Sequence, residues 1–256
     1  MHDVQNEFDK RGIEIDQVGI AGLRYPLVFN DGVLHQPAVA TASVTVRLQA
    51  DRRGTHMSRM VALVHEHFQD FDPRQLPQIL KAGVHLLDAP GIELSLTFPI
   101  TTKTTAPASR EESCLVHDVT LTAALTERAC KVTTSVLSEV TSVCPCSKKI
   151  SDYGAHNQRS RVTLSVNGSG DDPYPLTLSD AVEIVRNSGS APVVPLVKRP
   201  DERVLTMQGY ENPVFVEDMA RHISAECRNR NLLHRVQVVN LESIHSHNAV
   251  ALVVAE

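Results

Sequence analysis

The chain has 256 residues, with 25 Lys and Arg against 30 Asp and Glu, a net charge of −5 and 42% hydrophobic residues. This is a globular composition, long enough for one large domain or two of about 130 residues each, and no apolar run approaches the roughly 18 residues that a bilayer-crossing helix needs. The polar start, MHDVQNEFDKRG, lacks the basic and apolar segments of a secretory signal, so a cytoplasmic location is expected, without a membrane partner. Mild acidity and an aromatic set of four Tyr, six Phe and no Trp argue against a nucleic-acid partner, which calls for a basic surface and stacking platforms. Five Cys, an odd number with Cys144 and Cys146 two positions apart, point away from a disulfide framework and toward thiol or metal chemistry in a reducing compartment.

In chain order, Ala42, Val44, Val46 and Leu48 alternate with polar residues and predict a half-buried strand. The period then lengthens to 3.6 residues. Met57, Met60, Val61, Val64 and Phe68 form one helical stripe, and Leu76, Ile79, Leu80, Gly83 and Leu87 form a second. Asp72 before Pro73 is an N-cap signal for the second helix, and Pro90-Gly91 stops it. Ile92, Leu94, Leu96 and Phe98 alternate again, as does the stretch from Leu115 to Leu125, so residues 14–126 read strand, strand, helix, helix, strand, strand. The order then repeats, with strands at 130–141 and 160–167, a short helix near 179–187 and a helix at 213–230 whose stripe is Phe215, Met219, Ile223 and Cys227. Strands at 233–242 and 244–255 complete it. Alternation of this kind implies antiparallel sheet with one wet face. Two halves, 1–127 and 128–256, thus share an element order without a residue-level repeat.

Residues 143–160, VCPCSKKISDYGAHNQRS, and 195–213, PLVKRPDERVLTMQGYENP, show no periodicity and read as long functional loops. Cys144-Pro145-Cys146 has no second CxxC to complete a zinc ribbon. A single thiolate can nonetheless join a histidine and a carboxylate in a three-ligand site with one open position. His156 is the nearest histidine and Glu202 a source of hard oxygen, with buried inert thiols and a loop histidine as the alternative. His245 and His247 would share one face of the last strand, as ligands, as proton carriers, or as a plain polar edge, and Glu242 just precedes them. In His65-Glu66-His67, by contrast, residues two apart on a helix point about 200° apart, which describes a solvated face. Cys227 reads as a small buried hydrophobe. Cations gather at Lys148, Lys149, Arg159 and Arg161 and again at Lys198, Arg199 and Arg203, which suggests either a phosphorylated substrate or surface solubility. Glu217 near the start of the last helix either stabilises the helix dipole or accepts two parallel donors from a guanine edge.

The blocks SVCPCSKKISDYGAHNQRSRV, LVKRPDER, YENPVFVEDMAR and ESIHSHNA, with IDQVGIAGLRYP and GTHMSRMVALV upstream, resemble the GTP cyclohydrolase IB family, in its order, from residue 15 to residue 249. The resemblance implies an α+β tunnelling fold of two tandem ββααββ halves, with antiparallel sheets and helices packed on one face. It also implies a homotetramer with intersubunit barrels and active sites. The implied activity is hydrolysis of GTP to formate and 7,8-dihydroneopterin triphosphate, an entry to pterin and folate compounds, in which a metal-activated water attacks purine C8. One divalent metal per site is implied, zinc or manganese, or iron(II). Cys144, His156 and Glu202 match the family's metal-associated residues, and Cys144, Glu242, His245 and His247 its catalytic ones, with His245 as the proton carrier. Glu217 matches the carboxylate that grips guanine. Lys148, Arg159 and Arg199 are chosen on charge and loop position as triphosphate contacts. Two other readings remain. A zinc nucleobase deaminase would need the HxE and PCxxC signature, which is missing. A non-catalytic purine-, pterin- or metal-binding protein of the same fold would keep the residues without turnover.

Overall fold

The alternating stretches become long strands in the computed structural model, which describes residues 4–127 and 129–255. They run as β1 (Ile15–Asn30), β2 (His35–Leu48), α1 (Met57–His67), α2 (Leu76–Leu87), β3 (Ile92–Thr105) and β4 (Glu112–Leu125), in the order the periodicity predicts. Next come β5 (Cys130–Val143), α3 (Pro145–Ile150), β6 (Asn157–Ser169), α4 (Leu178–Arg186), β7 (Ala191–Pro192), α5 (Arg199–Glu211), α6 (Val216–Asn229), β8 (Leu233–Asn240) and β9 (Ala249–Ala255). The strands hydrogen-bond in the order β1-β2-β3-β4-β5-β6-β8-β9, with β7 pairing onto β5. The pairs β1–β2, β2–β3, β5–β7 and β8–β9 are antiparallel. The class is α+β with antiparallel sheet, as expected. Among the described residues no helix is long and apolar enough to cross a membrane.

Two compact units divide the chain. The first comprises residues up to Pro99 with Val119–Thr134 and Asn167–Pro175, and the second comprises Ile100–Asp118, Ser135–Val166 and the chain from Leu176 onward. In the first unit the inward faces of β1 to β3 and the stripes of α1 and α2 are apolar, and burial of such surface is the main drive to fold. Phe29, Phe68, Phe71 and Phe98 are buried, with Phe29 and Phe98 ring centroids 5.5 Å apart and Phe68 and Phe71 edge to face at 5.7 Å. The α2 stripe is buried throughout as read, and Asp72 caps a 3-10 turn, Pro73–Gln75, that leads into it. On α1 Met60 and Val64 of the expected stripe are buried, as is Phe68 just after the helix, and Leu63 joins them, while Met57 is exposed at the helix start and Val61 is half-buried. Gly19 lets β1 approach β2, because a Cβ there would strike the Val44 carbonyl.

In the second unit, the residues at 195–213 do not form a loop. Arg199–Glu211 is a helix, started by Pro200 at its first positions and by Asp201 accepting from the Lys198 amide (2.9 Å). The apolar period is faint there because only Asp201 and Gly209 of α5 are buried, so little of the helix needs an oily stripe. Similarly, α3 and the start of β6 lie inside the other expected loop. Helix α6 packs on β8 and β9 through Met219, Ile223 and Cys227, and burial pushes the Cys227 thiol up to about 11. Phe215, expected on that stripe, is the half-exposed N-cap residue.

Candidate active site

Three strand ends meet in the second unit. The amide of Cys144, directly after β5, donates to the carbonyl of His156, directly before β6 (3.1 Å), and the amide of Leu241, directly after β8, donates to the Arg159 carbonyl (2.9 Å). Ser160 Oγ also donates to Asn240 Oδ1 (2.7 Å), a buried polar pair joining β6 to β8. These bonds make neighbours of residues remote in sequence, and His156 Nδ1 lies 3.8 Å from Glu242 Oε2. With His245 they form a group whose ligand atoms all lie within 4.8 Å of one another, the one such group of three or more His, Cys, Asp or Glu among the described residues.

His245 and His247 are not on a strand. Pairing with β8 begins only at Ala249, and 241–248 is irregular backbone. Ser243, Ser246 and Asn248 favour turns over ladders, and the large apolar side chain of Ile244 is exposed. The loop still brings the two imidazoles together, stacked at 5.2 Å with 24° between planes, while His156 meets His245 edge on at 6.1 Å. Glu242 Oε2 is buried and has no hydrogen-bond partner. A desolvated carboxylate oxygen is costly unless something positive compensates it.

Of the three metal ligands implied by the resemblance, His156 alone belongs to this group. Cys144 sits beside it through the backbone, and its Sγ accepts from the Ser147 amide (3.4 Å) as the cap of α3. Glu202 is exposed in the first turn of α5, outside the group. Its neighbour Asp201 is fully buried and accepts from Ala108 N (2.7 Å), Ser109 N (2.8 Å), Ser109 Oγ (2.6 Å) and Lys198 N (2.9 Å). Burial alone would raise the Asp201 pKa, but these hydrogen bonds outweigh it and hold the carboxyl well below the usual range. Asp201 therefore anchors the start of α5 to the turn between β3 and β4 and sets where Glu202 projects.

Glu217 is exposed in the first turn of α6. Lys148 packs over the Tyr210 ring, 4.3 Å from its centroid, and donates to the Tyr210 carbonyl. Arg159 bonds Glu139 (2.8 Å), which Arg161 shares (3.2 Å); burial raises the Glu139 pKa, and the two guanidinium groups lower it further than burial raises it. Arg159 also lines a cavity of about 410 Å³ with Val143, Ala155, Asn157, Leu205 and Tyr210. Arg199 opens α5, exposed. The structure thus joins His156, Glu242 and His245, stacks His247 on His245, and leaves Glu202, Glu217 and Arg199 on exposed helix starts.

Sequence reasoning missed Gln158, Ser160, Asn240 and Asp201. For the strand residues a signal existed: Gln158 and Ser160 continue the inward face of Val162, Leu164 and Val166, and Asn240 that of Val236 and Val238. Polar residues at inward positions of an apolar alternation need partners.

A family model described as type I GTP cyclohydrolase folE2 matches residues 1–251. The GTP cyclohydrolase FolE2 of Neisseria gonorrhoeae is 41% identical over 98% of this chain and 97% of that protein. The GTP cyclohydrolase FolE2 of Cupriavidus necator is 40% identical over 99% and 94%. Among solved structures, uricase from Arthrobacter globiformis superposes with a TM-score of 0.53 at 9% identity, covering 94% of this chain and 93% of its own. A uricase from Bacillus fastidious gives 0.54 at 9%, covering 95% and 93%. At that identity the likeness is one of fold, and it is the tunnelling fold that the sequence resemblance implies. With nearly its whole length matched, the chain belongs to the type I GTP cyclohydrolase FolE2 family.

Proposed function

We propose that this GTP cyclohydrolase works in the IB manner, hydrolysing GTP to formate and 7,8-dihydroneopterin triphosphate with a divalent cation held at His156, as a homotetramer in the cytoplasm. The observation that carries the reading is the convergence of His156, His245 and a buried, unpartnered Glu242 oxygen where β6 and β8 end. Thiol, imidazole and carboxylate fit such a cation: sulfur and nitrogen suit zinc or iron(II), and the oxygens suit manganese. His156 and Cys144 would hold it, with carboxylate oxygen from Glu242 and from a neighbouring copy's Glu202. A bound divalent cation supplies Lewis acidity, bringing the pKa of water from about 15.7 toward roughly 7.

The chain's own groups do the rest. Glu217 accepts the guanine N1–H and the exocyclic amine. Adenine lacks this donor pair and would leave the carboxylate unmatched, a strong basis for rejection. His245 takes the proton released as water adds to C8 and returns one to the ring nitrogen as its bond to C8 breaks; a second water then cleaves the remaining C8–N bond to free formate, and one water leaves as the pterin ring closes. His247, stacked on it, holds the ring plane. Lys148, Arg159 and Arg199 offer cations to the triphosphate. Purified protein loaded with manganese or zinc should release formate from GTP and not from ATP, with a product that fluoresces after oxidation and dephosphorylation. Metal-loaded protein that binds GTP but releases no formate would instead describe a non-catalytic member of the fold.

A further inference from the structure

Gln158 is a buried primary amide on the inward face of β6, directly beside the cluster. Such a group is tolerated inside only when its donors and acceptor are used. Nε2 donates to Ser142 Oγ at the end of β5 (2.7 Å), and Oε1 lies 2.9 Å from His156 Nδ1. Ser142 is itself fully buried. A hydroxyl both donates and accepts, so Ser142 would satisfy either orientation of the amide. Glu242 settles the orientation. Its Oε2 stands 3.8 Å from His156 Nδ1, and a carboxylate oxygen attracts an N–H and repels a ring lone pair. Nδ1 therefore carries the hydrogen, Gln158 Oε1 accepts it, and Nε2 keeps the lone pair.

We propose that Gln158 is a positioning residue: backed by Ser142, its amide holds the His156 ring in the Nδ1–H form, so that Nε2 is the atom presented to a divalent cation. The role rests on the metal reading of the preceding section. A metal-binding imidazole whose other nitrogen donates to a carbonyl is fixed in tautomer and plane before the ion arrives, and losing that partner weakens binding by about 10–100-fold. Gln158 touches neither the ion nor GTP in this role. Ser142 acts one step further out.

Competition with a fluorescent chelator, using Mn²⁺ and Zn²⁺ on the full-length protein, tests this. Gln158→Met keeps the volume and removes the acceptor, and it should weaken metal affinity by about 10–100-fold. Gln158→Glu retains an acceptor for both Nδ1–H and the Ser142 hydroxyl, and should stay near wild type. NMR of protein labelled with ¹⁵N-histidine, without metal, should show His156 as Nδ1–H in wild type and Gln158→Glu, and shifted toward Nε2–H in Gln158→Met. Wild-type affinity and tautomer in folded Gln158→Met overturn the proposal. If Gln158→Met does not fold, then Gln158→Glu and Ser142→Ala decide: the role stands if Ser142→Ala binds metal more weakly than Gln158→Glu, and falls if the order is reversed or the two are equal. His156→Ala separates the two claims. Unchanged metal binding there sinks the metal reading and this role with it, whereas binding lost in His156→Ala but intact in Gln158→Met removes the positioning role alone.

Discussion

The connection from β2 to β3 and the connection from β6 to β8 both carry helices between neighbouring strands, yet they bury different chemistry. In the first, every buried residue of α1 and α2 is apolar or glycine: Met60, Leu63, Val64, Leu76, Pro77, Ile79, Leu80, Gly83 and Leu87. In the second, α5 buries Asp201 and α6 buries Ser224 against His234 Nε2 (2.9 Å); beyond this connection, the loop after β8 turns a buried carboxylate toward two imidazoles. The first connection bears on stability, and the second leads to the group around Glu242, whose buried Oε2 has no hydrogen-bond partner.

The comparison breaks if substitutions in the two regions have the same phenotype. The largest effect is expected at Glu217: Glu217→Gln should lower kcat/KM for GTP by about 10³-fold, or about 4 kcal/mol of transition-state binding, with the melting temperature nearly unchanged. Steady-state kinetics beside a thermal melt would show it. Leu80→Ala in α2 should do the reverse, costing about 3 kcal/mol of unfolding free energy because a fully buried side chain leaves a cavity. Activity per folded molecule should hold, as measured by denaturant titration with a matched assay. A smaller effect is expected at Glu242, where Glu242→Gln should weaken metal binding by about 10–100-fold. Glu202→Gln should match it if a neighbouring copy supplies that carboxylate, and metal analysis of both variants sharpens which oxygens serve.

The smallest effect concerns pH. Buried His117 accepts or donates at Nε2 with Thr102 Oγ1 (2.8 Å), but its Nδ1 has no partner, and burial, with Arg186 nearby, lowers its pKa. The unfolded chain, with a histidine pKa of about 6.5, then binds more protons than the native state as pH falls through that value, so stability drops with acidification. Native His117 thus favours folding above about pH 6.5 and loses that contribution below it. In His117→Asn the melting temperature should fall less between pH 7 and 5 than in wild type. His234 provides the contrast, for both of its ring nitrogens are bonded, Nε2 to Ser224 Oγ and Nδ1 to the Leu232 carbonyl (2.8 Å).

Much of the fold was legible because burial imposes a period. The alternations at 42–48 and 92–98 and the α2 stripe survive intact, since each inward position must exclude water. Where that demand is weak, the pattern fails: α5 buries almost nothing and so carries no stripe, and the stretch reads as a loop. The strand expected at 244–248 is absent for a related reason, as β8 ends at Asn240, whose partner is Ala249, and the residues between have no strand to pair with. At the site, residue identity pointed to His156, Glu242 and His245, but not to their grouping.

By itself the sequence determined the long strands, the α2 stripe and the family resemblance, because these are written in side-chain period and in long blocks of matching residues. Tertiary structure decided which polar groups share a space. Hydrogen bonds between strand ends place His156 against Glu242 and Gln158 against His156, and backbone contacts across the sheet leave no period in the chain.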